Sequence, residues 1–127
     1  MRYLLDTHAL IWHLEDSFRL PQNTKEVIDN SEGRICLCSV SLLEIAIKVG
    51  VGKLKLHFTF EEMLDKVKNG NYNVLQIKDE YLKRFVFLPS IHKDPFDRLL
   101  ISTALTEGLT IITADDNIHR YDVQWIW

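Results

Sequence analysis

Compact apolar runs alternate along the chain with stretches whose apolar positions recur every three or four residues, a pattern that predicts strands each followed by helix. Residues 2–5 form the first run, and from about Thr7 the apolar Leu10, Ile11 and Leu14 fall at helical spacing. A second helix is expected after Pro21, with Val27 and Ile28 on its buried side, and the Asn30-Ser31-Glu32-Gly33 cluster ends it. Residues 35–40 predict a second, buried strand, and residues 42–49 a helix stopped by Gly50 and Gly52. An amphipathic helix over 60–67, a strand over 72–77 after the Asn69-Gly70-Asn71 turn, and a helix from about Asp79 follow. The sharpest helix start is Asp94-Pro95: Asp94 caps, and Pro95 takes the first helical position, where its missing N–H costs nothing. That helix should run to about Glu107 and end at Gly108, with a fourth strand over 109–113 and a fifth, at a sheet edge, over 123–127.

Strands joined through helices require crossovers, so the sheet should be mostly parallel with helices on both faces. The expected architecture is a three-layer α/β sandwich in one domain, 1–127. With 46% hydrophobic and 26% charged residues the chain has the balance of a folded globular domain. A net charge of -3 excludes a protein that coats nucleic acid through bulk positive charge. Cys36 and Cys38 sit at alternate positions of a predicted strand, on one face, and read as reduced core thiols; a zinc site would need a second Cys or His pair at ligand spacing. The apolar stretch 4–12 carries a charge and is too short to span a bilayer, so a cytoplasmic protein is expected.

Ligands of parallel α/β sheets bind outside the carboxyl ends of the strands. Asp6 and Asp115 each follow a predicted strand directly, Asp97 lies in the first turn of the Asp94-Pro95 helix, and Glu44 lies early in the helix after the second strand. Each acid alone has a structural explanation. Asp6 and Asp115 suit N-caps, Asp97 suits the helix dipole, and Ser41-Leu42-Leu43-Glu44 spells a capping box. Glu44, however, is surrounded in sequence by Leu42, Leu43, Ile45, Ala46 and Ile47, which points its carboxylate into a partly buried place.

Two carboxylates about 5 Å apart repel by roughly 3 kcal/mol at an effective dielectric near 20, and four would make about six such pairs. The sum rivals the ~5–15 kcal/mol stability of a whole domain, so a converged cluster must take up protons or a cation. No lysine in these segments is obviously placed to neutralise it. All-oxygen ligands suit Mg²⁺ or Mn²⁺. Such an ion polarises a phosphoryl oxygen and lowers the pKa of its water, and hydrolysis of a phosphodiester follows.

The stretches Leu4-Leu5-Asp6-Thr7-His8, Ser41-Leu42-Leu43-Glu44-Ile45, Asp94-Pro95-Phe96-Asp97-Arg98 and Thr113-Ala114-Asp115, in this order, resemble the PIN-domain ribonucleases and among them the VapC toxins of toxin-antitoxin pairs. The resemblance implies a five-stranded parallel sheet, a homodimer, cleavage of RNA with Mg²⁺ or Mn²⁺, and silencing by a VapB-type antitoxin. It also implies Asp6 and Asp97 as principal metal ligands, with Glu44 and Asp115 completing the pocket directly or through water. Thr7 and Thr113 would support the site by hydrogen bonds. Asp94 matches a position of the subgroup, although its helix cap explains it, and the Thr-x-Asp pattern favours Asp115 over Asp116.

Other features change the picture less. Gly50-Val51-Gly52-Lys53 lacks the spacing and the Ser or Thr of a phosphate loop. Lys48, Lys53, Lys55, His57, Lys93 and Arg98 suit either a phosphate backbone or a solvated face. His8 and His13, on a mostly apolar helix, are expected to pack, and Trp12, Trp125 and Trp127 to serve the core or a dimer surface. An aspartate-dependent phosphotransferase would need a second acid where His8 stands, and a receiver module would need a lysine on a late strand. The alternatives are a PIN nuclease without an antitoxin and a non-catalytic binding or receiver module with an acidic pocket.

Overall fold

The computed structural model describes all residues, Met1–Trp127. Five parallel strands form one sheet: β1 (Tyr3–Leu5), β2 (Ile35–Cys38), β3 (Tyr72–Leu75), β4 (Thr110–Ile112) and β5 (Trp125–Ile126), in the spatial order β3-β2-β1-β4-β5. The chain winds outward from β1 to β3, then returns to place β4 against the other side of β1. The gap between β1 and β4 is therefore the point where the winding reverses, the place where such sheets open a crevice. Leu4 pairs with Cys36 on one side and Ile111 on the other, which fixes the register at the centre.

Alternation along the strands builds one core on each face. Leu4, Cys36, Cys38 and Ile111 pack with Tyr81 of α5 (Asp79–Val86), Leu100, Ile101 and Ala104 of α6 (Pro95–Glu107) and Ile118 of α7 (Asp116–His119). Leu5, Ile35, Leu37 and Ile112 pack on the opposite face with Leu10 of α1 (Thr7–Leu14), Ile28 of α2 (Gln22–Asp29), Ile45 of α3 (Ser39–Gly50) and Met63 of α4 (Phe60–Asn69). Both thiols are free and buried, with Cys38 Sγ 3.8 Å from Thr103 Oγ1.

Several boundaries differ from the sequence expectation. The second strand ends at Cys38 and helix α3 starts at Ser39 with no intervening loop, so Val40, expected in the strand, lies in the helix. Ser41 is consequently inside the helix, and the expected capping box with Glu44 does not form. The box occurs instead at α4, where Thr59 and Glu62 exchange side-chain to backbone bonds of 3.1 Å each. Strand β3 stops at Leu75, two residues early, at an exposed sheet edge. The short α7, capped by Asp115, is an additional element, since a four-residue segment carries too little periodicity to predict a helix.

Candidate active site

Each of the four acids arrives on a different element. Asp6 follows β1 directly, its N–H still bonded to Ile112 of β4 at 3.2 Å, and it caps α1 by accepting from Ala9 N–H at 2.8 Å. Its second oxygen accepts from Thr113 Oγ1, just past β4, at 2.5 Å. The same Thr113 hydroxyl accepts from Asp115 N–H at 3.0 Å, so it joins the ends of β1 and β4. Asp115 caps α7 through Asn117 N–H at 2.8 Å, and is half-buried where Asp116 is fully exposed. Asp6 and Asp115 share one pocket with His8, Trp12, Ala114 and Trp127. His8, expected to pack, is exposed at its rim, because the α1 positions flanked by Thr7 and Ala9 turn it outward.

Asp97 lies in the first turn of α6, above Asp94, which caps that helix through the N–H groups of Phe96 and Asp97 at 2.9 and 3.1 Å. Burial first, and then the charges of Asp94, Asp115, Glu44 and Asp6, push the Asp97 carboxyl up to about 8. Asp6 is also raised, chiefly by burial and in part by Asp115, against the lowering effect of its Thr113 and Ala9 bonds. Carboxylates from four separate segments thus act on one another across the carboxyl edge of the sheet. The capping role of Asp94 is realised as expected, and the same carboxylate heads the charges acting on Asp97.

Glu44 is 4% exposed, deep in α3. One oxygen accepts from Thr7 Oγ1 at 2.6 Å, and Thr7 also lies 3.2 Å from Ser41 Oγ. The other oxygen is 2.6 Å from Lys48 Nζ, one helical turn on. That contact corrects the expectation that no lysine neutralises the cluster: the i,i+4 step along α3 brings Lys48 over the buried acid, within the field of Asp94 and Asp97 as well.

Two further residues, His92 and Tyr121, carry no signal in the sequence. His92 Nε2 is 3.2 Å from Asp97 Oδ2, and its Nδ1 is 2.8 Å from the Tyr121 hydroxyl. Arg98 donates to that hydroxyl at 2.8 Å and to Pro89 O at 2.7 Å, so it braces the loop before α6 and points away from solvent phosphate. No local signal marks His92, since the helix N-terminus lies between it and Asp97. His13, expected to pack, is half-buried and bonded to Tyr72 at 2.5 Å and Asp29 at 2.9 Å, away from the acids. Trp12 packs on Trp127 at the pocket wall, and Trp125 stacks on His119 at 3.4 Å.

The donor set is all carboxylate, buried at Asp6 and Glu44 and half-buried at Asp97 and Asp115, and mutually repelling, which fits a hard divalent cation better than a thiol or imidazole metal. No three His, Cys, Asp or Glu side chains are drawn together tightly enough to hold an ion as they stand. Asp6 and Glu44 instead have both oxygens hydrogen-bonded, and the acids line a wall of the crevice.

A parallel sheet with this strand order and an acidic crevice at its winding reversal defines a class of α/β domain. The profile of the PIN domain matches residues 3–124, and the chain belongs to the PIN-domain family. It is 25% identical over 121 residues to ribonuclease VapC22 of Mycobacterium tuberculosis, covering 93% of this chain and 92% of that one. Its fold is shared with a chain of VapBC2 from Rickettsia felis, solved bound to a DNA fragment from their promoter, at a TM-score of 0.73, 18% identity and coverage of 99% and 98%. DNA-bound VapBC from Salmonella typhimurium gives a TM-score of 0.73 at 19% identity, covering 99% of this chain and 97% of that one.

Proposed function

We propose that the protein is a divalent-metal-dependent endoribonuclease, the VapC-type toxin of a toxin-antitoxin pair, held silent in the cytoplasm by a VapB-type antitoxin. The observation that carries this is the convergence on Asp97 of charge from Asp6, Glu44 and Asp115, each delivered by a different element. Asp6 and Asp97 hold the ion, Mg²⁺ or Mn²⁺, with Glu44 and Asp115 completing the negative wall directly or through water. When bound there, the ion polarises a phosphodiester oxygen and makes water more acidic.

The protein's own groups supply position and charge. Thr113 and the Ala9 N–H hold the two Asp6 oxygens in one orientation, and Thr7 holds one oxygen of Glu44. His92, fixed from behind by Tyr121, holds one oxygen of Asp97. Ordered carboxylates of this kind need no rearrangement as charge develops in the reaction. Support for the partners comes from the likeness to VapC22 and from apolar residues left in water: Leu43, Ile47 and Val51 on and just beyond α3, and Leu82, Val86 and Phe87 on and just beyond α5. Two such faces suit a second copy of the chain and an antitoxin segment. No helix is long and apolar enough to cross a membrane.

The test is cleavage of total RNA by purified protein with and without Mg²⁺ or Mn²⁺. Asp6→Ala and Asp97→Ala should each lower the rate by about 100-fold or more, as loss of electrostatic groups at a reacting centre does. Undiminished cleavage in both variants contradicts the assignment.

A further inference from the structure

Among the acids of the crevice stands one cation whose position the nuclease reading has not used. Lys48 Nζ rests 2.6 Å from Glu44 Oε2, and that is its single hydrogen bond within the protein. An ammonium group carries three N–H donors, so two remain free. The Lys48 side chain is 37% exposed where that of Glu44 is 5% exposed, so the buried acid anchors a cation that is itself partly open to solvent. The position is held from below: Thr7 and Lys48 divide the two oxygens of Glu44, which fixes the carboxylate and with it the lysine. Asp94 and Asp97 lie close enough to Lys48 to act on its charge. Arg98, the other cation beside Asp97 in sequence, is turned onto Pro89, Tyr121 and the Phe85 ring.

An RNA phosphate approaching a wall of carboxylates meets repulsion, and a resident ion offsets only part of it. A fixed ammonium beside Glu44, within the field of Asp94 and Asp97 and with two unspent donors, supplies a compact point charge of the kind that binds phosphate. We propose that Lys48 is a substrate-positioning residue that binds an RNA backbone phosphate beside the acidic pocket, and that Glu44 acts in part by holding it there. The proposal rests on the nuclease reading and adds to it the group that receives the polyanion. It also sets opposite signs for the two ligands: Lys48 attracts RNA and repels a divalent cation.

The experiment uses the full chain with Lys48→Met, Lys48→Gln and Lys48→Arg. The Gln variant keeps a donor for Glu44 Oε2 without the charge, and it is the one read if the Met variant does not fold. Cleavage of total RNA in Mn²⁺ gives an apparent KM at several KCl concentrations. Titration with MnCl₂ alone, followed by tryptophan fluorescence, reports ion binding through Trp12 and Trp127, which line the pocket with Asp6 and Asp115. Removing the charge should raise the KM for RNA by roughly tenfold and flatten its salt dependence by about 0.7 in the log–log slope, the loss of one phosphate contact on a single strand. Mn²⁺ should bind these variants as tightly as wild type or more tightly, and Lys48→Arg should keep KM within about threefold. An unchanged KM and salt slope, or RNA and Mn²⁺ affinities that fall together, overturns the proposal. Wild-type protein that cleaves no RNA, or an Asp97→Ala variant that cleaves as well as wild type, overturns the nuclease reading itself.

Discussion

Asp97 holds its proton up to about pH 8 because it is buried beside four other carboxylates. In the unfolded chain it titrates near its ordinary value of 3.8. Between those values the native state binds the extra proton, so the stability of metal-free protein must fall as pH rises and level off once both states are ionised. In EDTA the melting temperature should drop by several degrees between pH 5 and 8, and Asp97→Asn should flatten much of that slope. A melting temperature that rises with pH over this window, or an unaltered slope in the variant, contradicts the electrostatic picture. At the scale of single residues the sequence offered Asp6, Glu44, Asp97 and Asp115 as acids of one sheet edge, because Asp6 and Asp115 follow strand ends, Asp97 lies in the first turn of its helix and Glu44 stands among apolar neighbours. It left His92 and Tyr121 unmarked, and it offered Lys48 only as one of several cations suited to a phosphate backbone or a solvated face. The Lys48–Glu44 spacing was visible, but the direction of that helix face depended on Thr7, 37 positions away.

Helix α6 shows how an element can serve fold and site through one residue. Asp94 caps the helix with two backbone bonds and also contributes the largest charge effect on Asp97. The two roles separate by substitution. Asp94→Ala removes both cap and charge and should cost about 1 kcal/mol at pH values where Asp97 is protonated. Asp94→Ser keeps a capping oxygen without the charge, so it should be nearly neutral in stability while Asp97 ionises at lower pH. Urea melts and a carboxyl titration by NMR follow the two effects, and equal destabilisation by both substitutions would contradict the division. The start of α6 was legible because Asp-Pro is a local signal and Gly108, at φ +69, is a local stop. The junction of β2 and α3 was not, since Ser39 and Val40 suit either element and tertiary packing decides between them. The α4 capping box is local in sequence, since Thr59 and Glu62 stand at the spacing that such a box requires.

The whole molecule does what no segment can. Winding outward from β1 and then back to β4 lays the ends of two strands 107 residues apart against each other, close enough for Thr113 to donate to Asp6. Helices α3 and α6 then bring Glu44 and Asp97 to the same edge. The parallel sheet follows from the alternation of strands and helices, which puts the strand ends on one edge, whereas the order that sets β4 against β1 is visible only in the structure. The hydrogen-bonded state of each acid emerges only from packing. The most direct measurement is the anomalous scattering of crystals soaked in MnCl₂ above pH 8, where Asp97 is ionised. A divalent-metal pocket predicts a manganese peak at the Asp6 and Asp97 carboxylates that disappears in Asp97→Asn; manganese bound only elsewhere, or a peak indifferent to that substitution, would contradict it.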